Sequence, residues 1–190
     1  MTSSSHHTQP NGDSAEVFLG LIFERHSAAV LAYALRRCGP DDAADVVSET
    51  FVVAWRRIHD VPAEPGVKPW LYGVARRVLA NQRRGIRRRG ALAERVAAHL
   101  RPSVELIPPI ETTHADLVVH DALSQLPDAD REVLALTVWE QLSPSEIAVV
   151  LGISGSAARK RLFRARHRMA ELLGPTDSDP SGEIQEVISR

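Results

Sequence analysis

Apolar residues recur at three- and four-residue steps along most of this chain and nowhere alternate as a half-buried strand requires, so every predicted element is a helix. The first runs over 15–38, with Val17, Phe18, Leu21, Ile22, Val30, Leu31, Ala34 and Leu35 as its inward stripe, and Gly39-Pro40 ends it. A second helix is predicted over 41–58, opened by Asp41 and Asp42 at the positive end of its dipole and apolar at Ala44, Val47, Phe51, Ala54, Trp55 and Ile58. Pro62, Pro65 and Gly66 mark a loop between His59 and Val67. A third helix runs from Pro69 to about Arg89. Leu71, Val74, Ala75, Val78 and Leu79 face inward; Arg76, Arg77, Asn81, Arg83, Arg84 and Arg87 stay outside. Gly90, Pro102, Pro108 and Pro109 interrupt the next stretch, with room for a short helix at 91–100. Two more helices follow over 116–126 and 128–140.

The stretch 142–168, LSPSEIAVVLGISGSAARKRLFRARHR, then reads as helix, tight turn, helix. Ser143 is an N-cap, Pro144 suits the first helical position, and Glu146 completes a capping box. Ile147, Ala148, Val150 and Leu151 form the apolar stripe of the first helix, and the small Ala148 lets the two helices cross closely. Gly152 stands where the chain must turn with positive φ, and Ser154 caps the second helix. Ala158, Leu162, Ala165, Met169 and Leu172 form the buried face of that helix. Ser156, Arg159, Lys160, Phe163, Arg164 and His167 lie opposite. This is the helix-turn-helix pattern, in which the second helix enters a DNA major groove.

The predicted fold is all-α: two small helical domains joined by a flexible linker, the C-terminal one a four-helix domain with the helix-turn-helix. The boundaries read as a disordered tail over 1–14, a first domain over 15–90, a linker over 91–115, a second domain over 116–173 and a disordered tail over 174–190, within which EIQEVISR could form a frayed helix.

Charge sharpens this picture. A formal net charge of −1 conceals segregation. Residues 68–101 hold ten Lys or Arg against Glu94 alone, whereas 102–154 hold Arg131 alone against nine acids. Two basic blocks separated by an acidic one suit a protein that touches nucleic acid at two places. The single cysteine, Cys38, excludes an internal disulfide and a thiolate-rich zinc site, and a small buried thiol is its expected role. No apolar run approaches the ~20 residues of a membrane span. MTSSSHHTQPNGDS lacks the pattern of a signal peptide, so a cytoplasmic protein is expected. The eight histidines show no metal-ligand spacing, and neither a nucleophilic triad nor a phosphate loop is visible. No metal, cofactor or catalytic residue is expected.

Three stretches resemble the extracytoplasmic-function (ECF) group of bacterial sigma factors, within the sigma-70 family. DDAADVVSETFVVAWRR (41–57) resembles the family's core-polymerase-binding helix. KPWLYGVARRVLANQRR (68–84) resembles its helix for the downstream promoter element and strand opening. LPDADREVLALTVWEQLSPSEIAVVLGISGSAARKRLFRAR (126–166) resembles its upstream-element reader. The order and spacing are far more specific than a helix-turn-helix alone. Two departures are Ser48, where the family often has glutamine, and Ala158, where a larger branched residue is usual.

The resemblance implies a protein that binds core RNA polymerase and promoter DNA, catalyses no bond chemistry, and is held inactive by an anti-sigma factor. It places polymerase contacts at Asp45, Glu49, Val52 and Arg56, with Phe51 and Trp55 packing the domain instead. It places a captured non-template base at the 59–68 loop. There Trp70 and Tyr72 stand near unstacked bases while Arg76, Arg77, Asn81, Arg83 and Arg84 position the −10 strand; Trp70 is equally readable as core. For the −35 element, Arg159, Lys160 and Arg164 are candidate base-edge contacts beside Ser156. Phe163 either meets a thymine methyl or sugar or packs internally, and Arg161, Arg166 and Arg168 point to phosphate or acidic neighbours. The competing reading is an autonomous helix-turn-helix regulator that binds a palindromic duplex by itself.

Overall fold

In a computed structural model of the chain, residues 12–93 and 114–174 are described. They form seven α-helices: α1 (Gly12–Leu35), α2 (Pro40–Arg56), α3 (Val67–Ala93), α4 (His114–Gln125), α5 (Asp128–Val138), α6 (Pro144–Leu151) and α7 (Gly155–Leu173), with a 3-10 turn at Ile58–Asp60. Helices α1, α2 and α3 pack on one another as a first unit. Helices α4 to α7 form a second, with α7 against α4, α5 and α6. The expected terminal tails fall almost wholly outside the described residues, as do most of the linker and of the short helix at 91–100.

Each boundary has a local cause. Gly39 caps α2, Pro40 takes its first turn, and Asp41 and Asp42 sit at its positive end. Helix α3 begins two residues before Pro69, since Pro is tolerated in a first turn where N–H groups have no helical partner. Pro127 caps α5 from outside the helix.

The core of the first unit sets Ile22, Val30, Tyr33 and Ala34 of α1 against Ala43, Val46, Phe51 and Ala54 of α2 and Leu71, Val74, Ala75, Val78 and Leu79 of α3. The inward face of α3 is as its periodicity predicts. The stripe of α1 is not. Val17, Phe18, Leu21, Leu31 and Leu35 are exposed, because this helix is apolar on nearly all sides and periodicity cannot say which side is covered. The stretch Ser14–Leu35 is also long and apolar enough to cross a membrane by length and composition, although Ile22, His26, Val30, Tyr33 and Ala34 are buried inside the unit. On α2 Phe51 and Ala54 are buried as predicted, while nearer the start of the helix the buried positions are Ala43, Val46 and Thr50, with Val47 half-buried. Ala44 is exposed, and so is Trp55, expected to pack the domain. Thr50 enters the interior because its hydroxyl donates to Val46 O at 2.6 Å. Cys38 is half-buried, just past the end of α1.

The two units dock, through α3 against α6. Gly73 lies beside the α6 backbone, where a Cβ would meet Val150 Cα at 3.6 Å. Beside this apolar seam sits a buried ionic joint. Glu140, which follows α5, is 2% exposed. Arg36 Nη2 donates to its Oε2 at 2.7 Å and Arg37 Nη1 to its Oε1 at 3.1 Å. Lys68 Nζ donates to its backbone oxygen at 3.1 Å. Tyr72, predicted to stand near opened DNA, is instead buried and stacked on Tyr33 at 4.9 Å. Burial and the adjoining Glu140 carboxylate raise its phenol well above the usual range.

Removing one partner of a buried ion pair costs ~3–5 kcal/mol, a large fraction of what can hold two small units together. Glu140→Ala is therefore expected to part the units without loss of helix content. X-ray scattering of the full chain will show a larger radius of gyration; an unchanged curve would mean that the α3–α6 seam closes the pair unaided.

Candidate nucleic-acid interface

The helix-turn-helix forms as its sequence predicts. Ser143 N donates to Glu146 Oε2 at 2.8 Å and Glu146 N donates to Ser143 Oγ at 3.4 Å, closing the capping box. Gly152 turns the chain with φ of 64°. Ser154 Oγ accepts from Ala157 N at 3.2 Å, fixing the start of α7. Ile147, Ala148 and Val150 of α6 are buried with Ala158, Leu162, Ala165 and Met169 of α7, whereas Leu172, expected inside, is 40% exposed near the helix end. Ala158 is completely buried; with no larger side chain there, the two helices meet closely.

That packing leaves one face of α7 free. Ser156, Arg159, Lys160, Phe163 and Arg164 are all exposed, and the last four line one shallow depression. Phe163 is 74% exposed, which removes the internal-packing reading. A bare phenyl ring between three cations is a costly surface in water and a useful one in a groove that offers phosphates and thymine methyls. Arg168 pairs with Asp130 of α5, and Arg161 turns toward α5 and α3.

The residues of α3 divide between two faces. Arg77, Asn81 and Arg84 are exposed along one side, where Arg84 Nη2 donates to Asn81 Oδ1 at 2.5 Å. Arg76 and Arg83 face the second unit. Arg76 makes a two-pronged ion pair with Glu132 of α5, at 2.7 and 3.1 Å, which raises its pKa further. Arg83 Nη2 donates to Arg37 O at 2.8 Å. Trp70 is half-buried against the core with Arg57 over its ring at 5.9 Å, an arrangement between its two sequence readings. The loop before α3 is tied back to α1, where Glu64 Oε1 lies 2.8 Å from His26 Nε2 and 3.4 Å from Arg25 Nη1.

On α2, Asp45, Glu49, Val52 and Arg56 form a single exposed stripe. Sequence reasoning missed its neighbours. Trp55 and Phe23 are exposed beside Leu19 and Gly20, making an apolar hollow next to that stripe. The signal that could have found it was the surplus of apolar residues on α1, more than one buried face can use. Among the described residues no group of three or more His, Cys, Asp or Glu could hold a metal ion.

Known proteins resemble the chain along nearly the whole of this architecture. The family model for sigma-70 region 2 matches residues 22–89, and that for sigma-70 region 4 matches 116–169. RNA polymerase sigma factor NccH of Alcaligenes xylosoxydans is 30% identical over 164 residues, covering 81% of this chain and 86% of the relative. ECF RNA polymerase sigma factor SigL of Mycobacterium tuberculosis is 32% identical over 149 residues, covering 76% and 82%. Among solved structures, the sigma factor RpoE in complex with the anti-sigma factor NepR, from Bartonella quintana, superposes with a TM-score of 0.59 at 25% identity, over 83% of this chain and 95% of that one.

The capping box makes a stability prediction. Hydrogen bonds from the Ser143 hydroxyl and backbone N–H hold the Glu146 carboxyl below the usual glutamate value of 4.5. A depressed folded pKa contributes stability above the ordinary value and loses it as pH falls through the folded one. Ser143→Ala is expected to cost ~1 kcal/mol in urea denaturation at pH 7. Glu146→Gln is expected to cost less, and its deficit should close as the solution is acidified below the ordinary glutamate range. A deficit that persisted unchanged in acid would assign it to lost packing.

Proposed function

Since this chain belongs to the ECF group of the sigma-70 family of bacterial RNA polymerase sigma factors, we infer that it binds core RNA polymerase and directs it to promoters, where it supports opening and initiation. The observation that carries this most directly is the joint match of region 2 and region 4 on one chain, in order. An autonomous helix-turn-helix regulator accounts for the second and leaves the first without a purpose. On this reading 15–90 is the region 2 domain and 116–173 the region 4 domain. The protein contributes recognition and not bond chemistry, and it works in the cytoplasm where polymerase and promoters are.

The −35 element is assigned to Ser156, Arg159, Lys160, Phe163 and Arg164, supported by their shared exposed face on a capped, well-packed helix. An arginine reads guanine through two parallel hydrogen bonds, worth ~1–3 kcal/mol in discrimination. The −10 element and melted strand are assigned to Trp70, Arg76, Arg77, Asn81, Arg83 and Arg84. Arg77, Asn81 and Arg84 are already exposed; Arg76 becomes available once the two units part, and Arg83 must also leave the Arg37 carbonyl of its own unit. Polymerase binding is assigned to Asp45, Glu49, Val52 and Arg56, where charges rim an apolar neighbour in the manner of a docking surface. A partner of the anti-sigma class belongs to the same reading, by analogy with RpoE and NepR.

Promoter-dependent transcription with purified core polymerase tests the function: specific transcripts are expected only when this protein is added. Arg159→Ala or Arg164→Ala is expected to lower promoter-specific transcription about 10-fold or more while co-purification with polymerase persists. If either lowered affinity equally for every upstream sequence, that residue would be a phosphate contact. Asp45→Arg with Glu49→Arg is expected to abolish co-purification at near-unchanged thermal stability, because exposed substitutions shift stability by under ~0.5 kcal/mol. Retained co-purification would remove α2 from the interface.

A further inference from the structure

Where α1, α3, α5 and α7 meet, the docked units enclose a cleft of about 340 Å3. Its walls carry five guanidinium groups and two carboxylates, a surplus of three positive charges. Both carboxylates are already engaged. Glu132 holds Arg76, and Asp128 stands 3.5 Å from Arg131, whose guanidinium also donates to the carbonyls of Leu123, Ser124 and Leu126. Arg37 shares Glu140 with Arg36. Arg83 has only a backbone carbonyl, and Arg161 has no hydrogen bond or ion pair among the described residues.

Two buried atoms at this cleft have no hydrogen-bond partner: Tyr33 Oη and Arg37 Nη2. Tyr33 is fully buried and Arg37 is 7% exposed. An unmade hydrogen bond on such a group costs ~1–3 kcal/mol, more where it is charged, and folded proteins seldom leave one. Burial pushes the Tyr33 phenol up to about 12, so it remains a neutral O–H donor at physiological pH. Tyr33, Arg37, Arg83 and Arg161 thus line one cleft whose two carboxylates are both engaged, and two of its buried donor atoms lack an acceptor.

The geometry points to this cleft as a binding site for a small oxyanion of the phosphate class, held by Arg37, Arg83 and Arg161 and by the Tyr33 hydroxyl. A planar carboxylate satisfies one guanidinium fork; tetrahedral phosphate oxygens satisfy several at once, and a diphosphate matches the charge surplus. At ~30 Å3 for each liquid water, the volume accommodates a diphosphate together with solvent. Arg37 and Arg83 belong to the first unit and Arg161 to the second, so the anion binds the docked arrangement better than the parted one and shifts the balance toward it. The consequence for transcription rests on the sigma-factor reading: the bound anion withholds Arg76 and Arg83 from DNA.

Calorimetric titration of the full chain in phosphate-free buffer tests the site, with pyrophosphate, inorganic phosphate and a nucleoside triphosphate as separate probes at matched ionic strength. Saturable one-to-one binding of pyrophosphate or the triphosphate is expected. A free diphosphate is the ligand if pyrophosphate binds the tighter, and the phosphate chain of a nucleotide if the triphosphate does. Arg83→Ala and Arg161→Ala are each expected to weaken binding about 10-fold or more, and Arg166→Ala, on an exposed arginine of the same helix, to leave it unchanged. Tyr33→Phe gives a second readout: without ligand it is expected to raise the melting temperature by removing an unpartnered hydroxyl, while weakening the anion several-fold. Absence of binding, or binding reduced equally by Arg166→Ala, overturns the site, and so does a Tyr33→Phe variant that melts lower and binds as before. Neither polymerase nor DNA is present, so the result stands apart from the sigma-factor reading.

Discussion

Glu140 fixes the arrangement of everything else. A carboxylate 2% exposed is costly to bury unless it is paired locally, and its partners are Arg36 and Arg37, on the other domain. The joint is directional in a way that the apolar seam of α3 and α6 is not. It sets which residues of each domain meet, and it gathers the buried Tyr72 and Tyr33 with the half-buried Lys68. A hydrophobic contact alone would permit sliding; two guanidiniums on one carboxylate permit very little.

From that joint follows a division of surfaces. The basic face of α7 and the acidic and apolar face of α2 both remain open to solvent with the domains docked. The α3 helix is treated differently along its two sides. Its exposed edge leaves Arg77, Asn81 and Arg84 open to solvent, and its inner edge pairs Arg76 with Glu132 of the other domain while Arg83 is held by the Arg37 carbonyl of its own. On the proposed assignment, the docked form leaves the polymerase and upstream-duplex surfaces open and exposes only Arg77, Asn81 and Arg84 on the α3 helix toward the downstream strand.

Local chemistry was legible in the sequence. The caps at Ser143 and Ser154, the turn at Gly152 and the buried face of α3 each depend on residues within a few positions of one another, so spacing alone reveals them. The α7 surface was legible for the same reason: once its buried face is known, its exposed one follows. What escaped was decided by distant partners. Nothing near Tyr72 announces that Tyr33 will stack on it, and nothing near Arg76 announces Glu132, 56 residues away. On α1 and α2 the failure had another cause. Both helices carry more apolar positions than one buried face can use, so Trp55, Leu21 and Val17 were assigned inside and stand outside. That excess is itself informative, since Trp55 and Phe23, left exposed, line a hollow beside the proposed polymerase surface.

The two-sided character of α3 has an evolutionary consequence. Residues 77, 81 and 84 fall on one edge of the helix and residues 76 and 83 on another, so a substitution in one set leaves the contacts of the other in place. On the proposed function, drift along the exposed edge would alter which downstream sequences are preferred. Drift at Arg76, which pairs with Glu132, would alter how easily the two domains part. On that reading, two copies of such a gene could keep the same promoters and differ in threshold through this one pair.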